Sequence, residues 1–110
     1  MVELCKNGFF ARLDHENGYV RVQLVHLEHE VENVLASFVC SLGSLAAVLS
    51  GATVQLSDGK GGYLLITPQS DGVHVGFASN HLEREEACVV TRENYSQMIT
   101  LVATPTRRNR

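Results

Sequence analysis

Between Asn33 and Ser57 the sequence carries no charged side chain. Nowhere does it have a Cys-x-x-Cys pair, a basic body segment or a nucleotide-binding signature. Each absence excludes a class of protein. Cys5, Cys40 and Cys88 are odd in number and far apart, which suggests neither a disulfide framework nor a thiolate metal site. Three of the nine cationic residues, Arg107, Arg108 and Arg110, sit in the last six positions, leaving six cations against twelve acidic residues in the body. So acidic a body repels phosphate backbones, and double-stranded nucleic acid is not expected as a partner. Met1 to Lys6 shows no basic region followed by an apolar core and a cleavage site, so no signal peptide is read and a cytoplasmic location is expected. No linker, low-complexity tract or internal repeat interrupts the chain. One domain is therefore expected over residues 1–104, with a basic, frayed tail at 105–110.

What is present is a chain of 110 residues, 45% hydrophobic and 19% charged, enough for one core and slightly more apolar than an average soluble domain. Phe9, Ala11 and Leu13 alternate with Phe10, Arg12 and Asp14 at the period of a half-buried strand. Asn17-Gly18 tolerates the positive φ of a tight turn, and alternation resumes from Tyr19 to Leu27, which predicts an antiparallel hairpin. In the second half Val54 and Leu56, Leu64 and Ile66, Val73 to Phe77, and Ala87 to Val90 read as four short strands broken by Asp58 to Gly62, Pro68 to Gly72 and Ser79 to Glu86. Thr91 caps a last helix whose stripe is Tyr95, Met98, Ile99 and Val102.

The uncharged stretch between these halves fits helical spacing, with Val31, Val34, Leu35, Phe38, Val39, Leu42, Leu45, Ala46 and Leu49 on one face and Gly51 as a stop. A long central helix is predicted there, its opposite face formed by Ser37, Ser41, Ser44 and Val48. A helix with a solvated face normally shows charges, so this small-residue face is expected to be an interface with another subunit or partner. The stretch is long enough for a membrane span, but its serines, its glycines and the strand-like sequence on both sides argue against one. The overall expectation is an α+β fold in the order β-β-α-β-β-β-β-α, an antiparallel sheet packed on one face by the long helix and the C-terminal helix.

No constellation reaches the specificity of a catalytic, metal or cofactor site; no metal or cofactor is expected, and the balance leans away from an enzyme without deciding it. His26-Leu27-Glu28-His29-Glu30 is the most metal-like run, but it lacks a third ligand at a recognisable spacing and matches neither H-E-x-x-H nor H-x-x-E-H. Asp58-Gly59-Lys60-Gly61-Gly62 resembles a phosphate loop in its glycines, yet a strand rather than a helix follows, and a hairpin turn explains it better. The cysteines read as inert thiols, and Glu83 to Glu86 as a solvated loop.

His74, on the opposite strand face to Val73, Val75 and Phe77, combines with Tyr63 and Thr67 as the best candidate for a small-ligand pocket; an ordinary solvated sheet face is the plainer reading. Three functions are thus open. The first is a protein-interaction module acting as a homodimer or a partner-binding subunit. The second is a small-molecule binder or modest enzyme with a pocket between sheet and helix. The third is single-stranded nucleic-acid binding on an open sheet, which has few aromatics for bases to stack on.

Overall fold

Alternating apolar residues joined by tight turns fold the chain into two antiparallel meanders, each followed by a helix. The first contains β1 (Val2–Asn7), β2 (Phe9–Glu16), β3 (Tyr19–Glu28) and β4 (Val31–Ser41), then α1 (Leu42–Ala47) with a 3-10 turn at Val48–Ser50. The second contains β5 (Val54–Ser57), β6 (Tyr63–Gln69), β7 (Gly72–Ala78) and β8 (Glu86–Val90), then α2 (Arg92–Ala103). This computed structural model describes residues 2–7, 9–80 and 85–103; within residues 2–7 the backbone is described and, of the side chains, that of Glu3. The expected tail at 105–110 lies outside the described residues.

The α+β class, the antiparallel pairing and the approximate element order are as the sequence predicts. The differences are two sheets rather than one, and two further strands, β1 and β4. β4 occupies the first half of the stretch with helical spacing. That stretch also has a period of two: Ala36, Phe38 and Cys40 are buried while Ser37, Val39 and Ser41 are exposed. The two periods compete locally, and pairing with β3 from Tyr19↔Ser41 to Glu28↔Val31 decides in favour of the strand. β-branched Val31, Val34 and Val39 suit a pleated surface better than a helix. Helix survives only where the ladder ends, with Ser41 as its cap, its hydroxyl accepting from the Ser44 amide at 3.1 Å. Gly51, at φ 106°, stops the turn after it as expected.

The turn that makes β4 possible is His29-Glu30, with φ of 52° and 65°. Asn17-Gly18 uses the same left-handed conformation at 52° and 85° in the β2–β3 hairpin. Paired positive φ values are those of the two-residue hairpin turn whose twist matches the strands. Glu30 adopts this conformation without the help of a glycine, at a local cost that the long β3–β4 ladder offsets.

The inner faces of both sheets and both helices share one core. Ala11, Leu13, Val20, Val22, Leu24 and Phe38 from the first half meet Leu64, Ile66, Val73, Val75 and Phe77 from the second in a single buried cluster. At the margins of the sheets β1 lies beside β8 and β4 beside β5. The helices cross over: α2 packs on β1 and β2 as well as β7, and the 3-10 turn after α1 packs on β6. The architecture is thus a structural repeat of four strands and a helix that the sequence does not display. Among the described residues no helix is long and apolar enough to cross a membrane.

Tyr95 joins the two halves. It is fully buried, and its hydroxyl donates to the Leu45 carbonyl oxygen at 2.7 Å, linking α2 to α1. Burial holds the phenol well above its usual pKa, so it remains a donor at all working pH values. Thr91 caps α2 as expected: its hydroxyl accepts from the Asn94 amide at 3.0 Å and its carbonyl from the Tyr95 amide at 2.9 Å. Replacing Tyr95 by Phe keeps the ring but removes the bond, and is expected to cost about 1–2 kcal/mol in urea denaturation. Tyr95→Ala should cost about 3–5 kcal/mol, since it also leaves a cavity.

Candidate interaction face

Strand alternation gives each sheet an outer face, and the two differ in charge. On the first sheet β2 and β3 present Arg12, Asp14, Glu16 and Arg21 outward. Arg12 reaches Glu32 on β4 at 2.6 Å and Glu3 on β1 at 3.4 Å, and its guanidinium lies 5.3 Å over the Phe10 ring. The hydrogen bond to Glu32 above all raises the Arg12 pKa further. Arg21 pairs with Glu16. Both arginines on this face are therefore engaged by carboxylates, which leaves little cationic surface for a phosphate backbone.

The outer face of the second sheet has no charged residue. The register sets Gln55, Leu65, Gly76 and Ala87 in one row, Ser57, Tyr63 and Ala78 in the next, and Thr67, His74 and Val89 in a third. None of these is Asp, Glu, Lys or Arg. Val89 is 51% exposed, and Gln55, Ser57 and Ala87 are exposed as well. Gly76 and Ala87 leave the middle of the face low, flanked by Leu65 and Val89.

Charges occur only at the rim. Asp71, in the β6–β7 turn, contacts His74 Nε2 at 2.7 Å, and that hydrogen bond holds its carboxyl below the usual carboxylate range. At the opposite end the Tyr63 hydroxyl donates to Glu85, which raises the phenol pKa.

The three ligand candidates His74, Tyr63 and Thr67 share this face. Thr67 and His74 are directly cross-paired, whereas Tyr63 pairs with Ala78 at the far end of β6. Leu65, Gly76, Ala87 and Val89 belong to the same surface, and the sequence reading did not nominate them. Their signal was present, since each alternates with a core residue, but the rows appear only once the register is known. A depression between α1 and β5, with a volume of about 300 Å³ and a lining of Ser44, Ala47, Ala52, Thr53, Val54, Gln55 and Leu56, meets this face only at Gln55. His74, Tyr63 and Thr67 do not border it.

The proposed helix face Ser37, Ser41, Ser44 and Val48 is not a single face. Ser37 and Ser41 are exposed on β4, Ser44 is exposed on α1, and Val48 is fully buried in the core. It divides because the segment is half strand. His26 lies flat on Phe9, its partner across the β2–β3 ladder, with ring centroids 4.3 Å apart, while His29 is in the following turn. Among the described residues no group of histidine, cysteine or acidic side chains could hold a metal ion.

The expectation of unpaired thiols is corrected at Cys88, which is disulfide-bonded, whereas Cys40 is free and buried. Spacing could not reveal this, because the bond depends on tertiary packing rather than on neighbours in sequence. His81, Glu83 and Arg84 lie outside the described residues.

The Asp58 loop is a self-contained turn. Asp58 Oδ1 accepts from the Lys60 amide at 2.7 Å and the Gly62 amide at 2.9 Å, while Asn80 Nδ2 donates to the Lys60 carbonyl at 2.8 Å. The amides of Lys60 and Gly62 are thus occupied by the loop's own carboxylate, and that of Gly59 by Ser57 Oγ, rather than available to a phosphate. A Cβ on Gly62 would come within 2.7 Å of Asp58 Oδ2, which explains that glycine.

Compared with known protein families, with curated proteins and with solved structures, the chain matches none.

The Lys60 amide first, and then that of Gly62, holds the Asp58 carboxyl below its ordinary 3.8. A depressed carboxylate contributes stability that is present above 3.8 and is lost as pH falls through the folded value. A carboxyl carbon NMR titration is expected to place the Asp58 midpoint below 3.8; a midpoint at or above it would show that the two amides do not hold the carboxylate.

Proposed function

We propose that this chain is a non-catalytic interaction module that pairs with a second copy of itself through the outer face of the β5–β8 sheet. The observation that supports the reading is the missing charge. A four-stranded face exposed to water has no Asp, Glu, Lys or Arg across its three rows, in a chain whose sequence has 21 such residues. A neutral face is where two acidic bodies meet without opposing carboxylates, and docking there desolvates no ion.

Size sets the strength. Strands about 4.8 Å apart and residues about 3.4 Å apart make a face on the order of 400 Å². Stable complexes bury roughly 800 Å² per partner. Association is accordingly in the weak, micromolar class, strengthened only as far as the rim takes part. The acidic balance and the paired arginines of the other sheet count against the nucleic-acid reading, and the depression beside α1 is the place for a small ligand if one is retained.

Sedimentation across a concentration series is expected to show a monomer converting to a dimer, and native mass spectrometry to show no added mass. Leu65→Glu or Ala87→Glu, both on the exposed face, should weaken association by about a hundredfold, because each would leave an unpaired charge in the contact. A chain that stays monomeric at several hundred micromolar would overturn the proposal, as would unchanged dimers in both variants. Retained mass on a monomer would direct attention to the depression at Ser44 and Gln55.

A further inference from the structure

We propose that the disulfide at Cys88 is a redox latch on the seam between the two sheets. β8 is the margin of its sheet, and beside it runs β1, the margin of the other, yet the two sheets remain separate hydrogen-bonded ladders. Cys88 sits in the middle of β8, on the inward side opposite Val75, and is packed partly buried against the core. Its bond is therefore a covalent tie on a strand whose outer edge belongs to no ladder. Three residues beyond it the chain enters α2 through Thr91, so whatever fixes β8 also fixes the approach of α2 to β1, β2 and α1.

Cys40 occupies the contrasting position. It lies on the inner side of β4, at the other margin of the first sheet, and burial raises its thiol pKa. Buried thiols with a raised pKa supply little thiolate and exchange slowly. Oxidation and reduction are thus directed to Cys88 while Cys40 stays in the core.

The chemistry is thiol–disulfide exchange with a low-molecular-weight disulfide such as oxidised glutathione. The Cys88 thiolate attacks one glutathione sulfur, forms a mixed disulfide and expels one glutathione thiolate. A second cysteine thiolate of the chain then attacks the Cys88 sulfur and expels the other. Two protein thiols give up two electrons and two protons, and one glutathione disulfide becomes two thiols. A reducing dithiol reverses the sequence. The closed form persists where disulfides are stable, and a reducing environment opens it.

The test compares the whole chain in oxidised glutathione and in dithiothreitol, with the redox state in each buffer verified by alkylation and peptide mapping. Reduction is expected to lower Tm by on the order of 10 °C, and to speed amide exchange in β8 and α2. Cys88→Ser should melt at the reduced wild-type temperature in both buffers, and Cys40→Ser should keep the full difference. If Cys88→Ser does not fold, the reduced wild type provides the same comparison. Equal melting and equal exchange in the verified oxidised and reduced forms would overturn the proposal. So would alkylation of Cys88 in protein never exposed to reductant.

Discussion

The buried hydroxyl of Tyr95, bonded to the Leu45 carbonyl, marks the constraint on which the fold depends. Each half is a four-stranded meander with one apolar face, and a sheet so made must find a second layer to cover it. Neither half provides its own cover in full. α2 from the second half covers β1 and β2 of the first, and the turn after α1 covers β6 of the second. The two helices meet at the Tyr95 bond, so displacing one uncovers both sheets. The charge pattern follows: inner faces are spent on the shared core, and only the outer faces remain to differ from each other.

Much of this was legible in the sequence where one period ruled alone. Asn17-Gly18 between two alternating runs gave the first hairpin in register, and the glycine and proline breaks separated the strands of the second sheet at nearly their true limits. Thr91 followed by the Tyr95, Met98 and Val102 stripe located α2. β1 was not read as a strand, and the larger exception was Val31 to Ser41, where apolar residues satisfy periods of both two and 3.6 and nothing local chooses between them. The choice rests on ten cross-strand pairs with β3, and on a His29-Glu30 turn without the glycine that usually marks such a site. With β4 read as helix, the repeat of four strands and a helix was hidden.

The candidate face was legible in part for a related reason. Alternation alone assigns His74, Tyr63 and Thr67 to one side of the strands, and the structure finds them there. It does not say which residues stand next to one another across strands. Gly76 looks like a weakness in β7 until the register places it between Leu65 and Ala87, in the middle of an uncharged surface. Likewise, the absence of charge from Asn33 to Ser57 was correctly seen as unusual but assigned to one helix, whereas the structure distributes it over β4, α1 and β5. The disulfide of Cys88 left no mark in the sequence, because the spacing of cysteines does not report which of them tertiary packing brings together.

The crossing of the helices also bears on how the chain is made. Synthesis delivers β1 to β4 and α1 first, so the first sheet reaches solution before the helix that covers β1 and β2 exists. That helix is the last described element. Until it leaves the ribosome, a complete set of four strands stands with part of its apolar face bare, in the state most open to wrong pairing with neighbouring chains. Folding of this small protein is therefore not a matter of adding finished pieces in turn: it waits on the final dozen described residues and then completes both halves together.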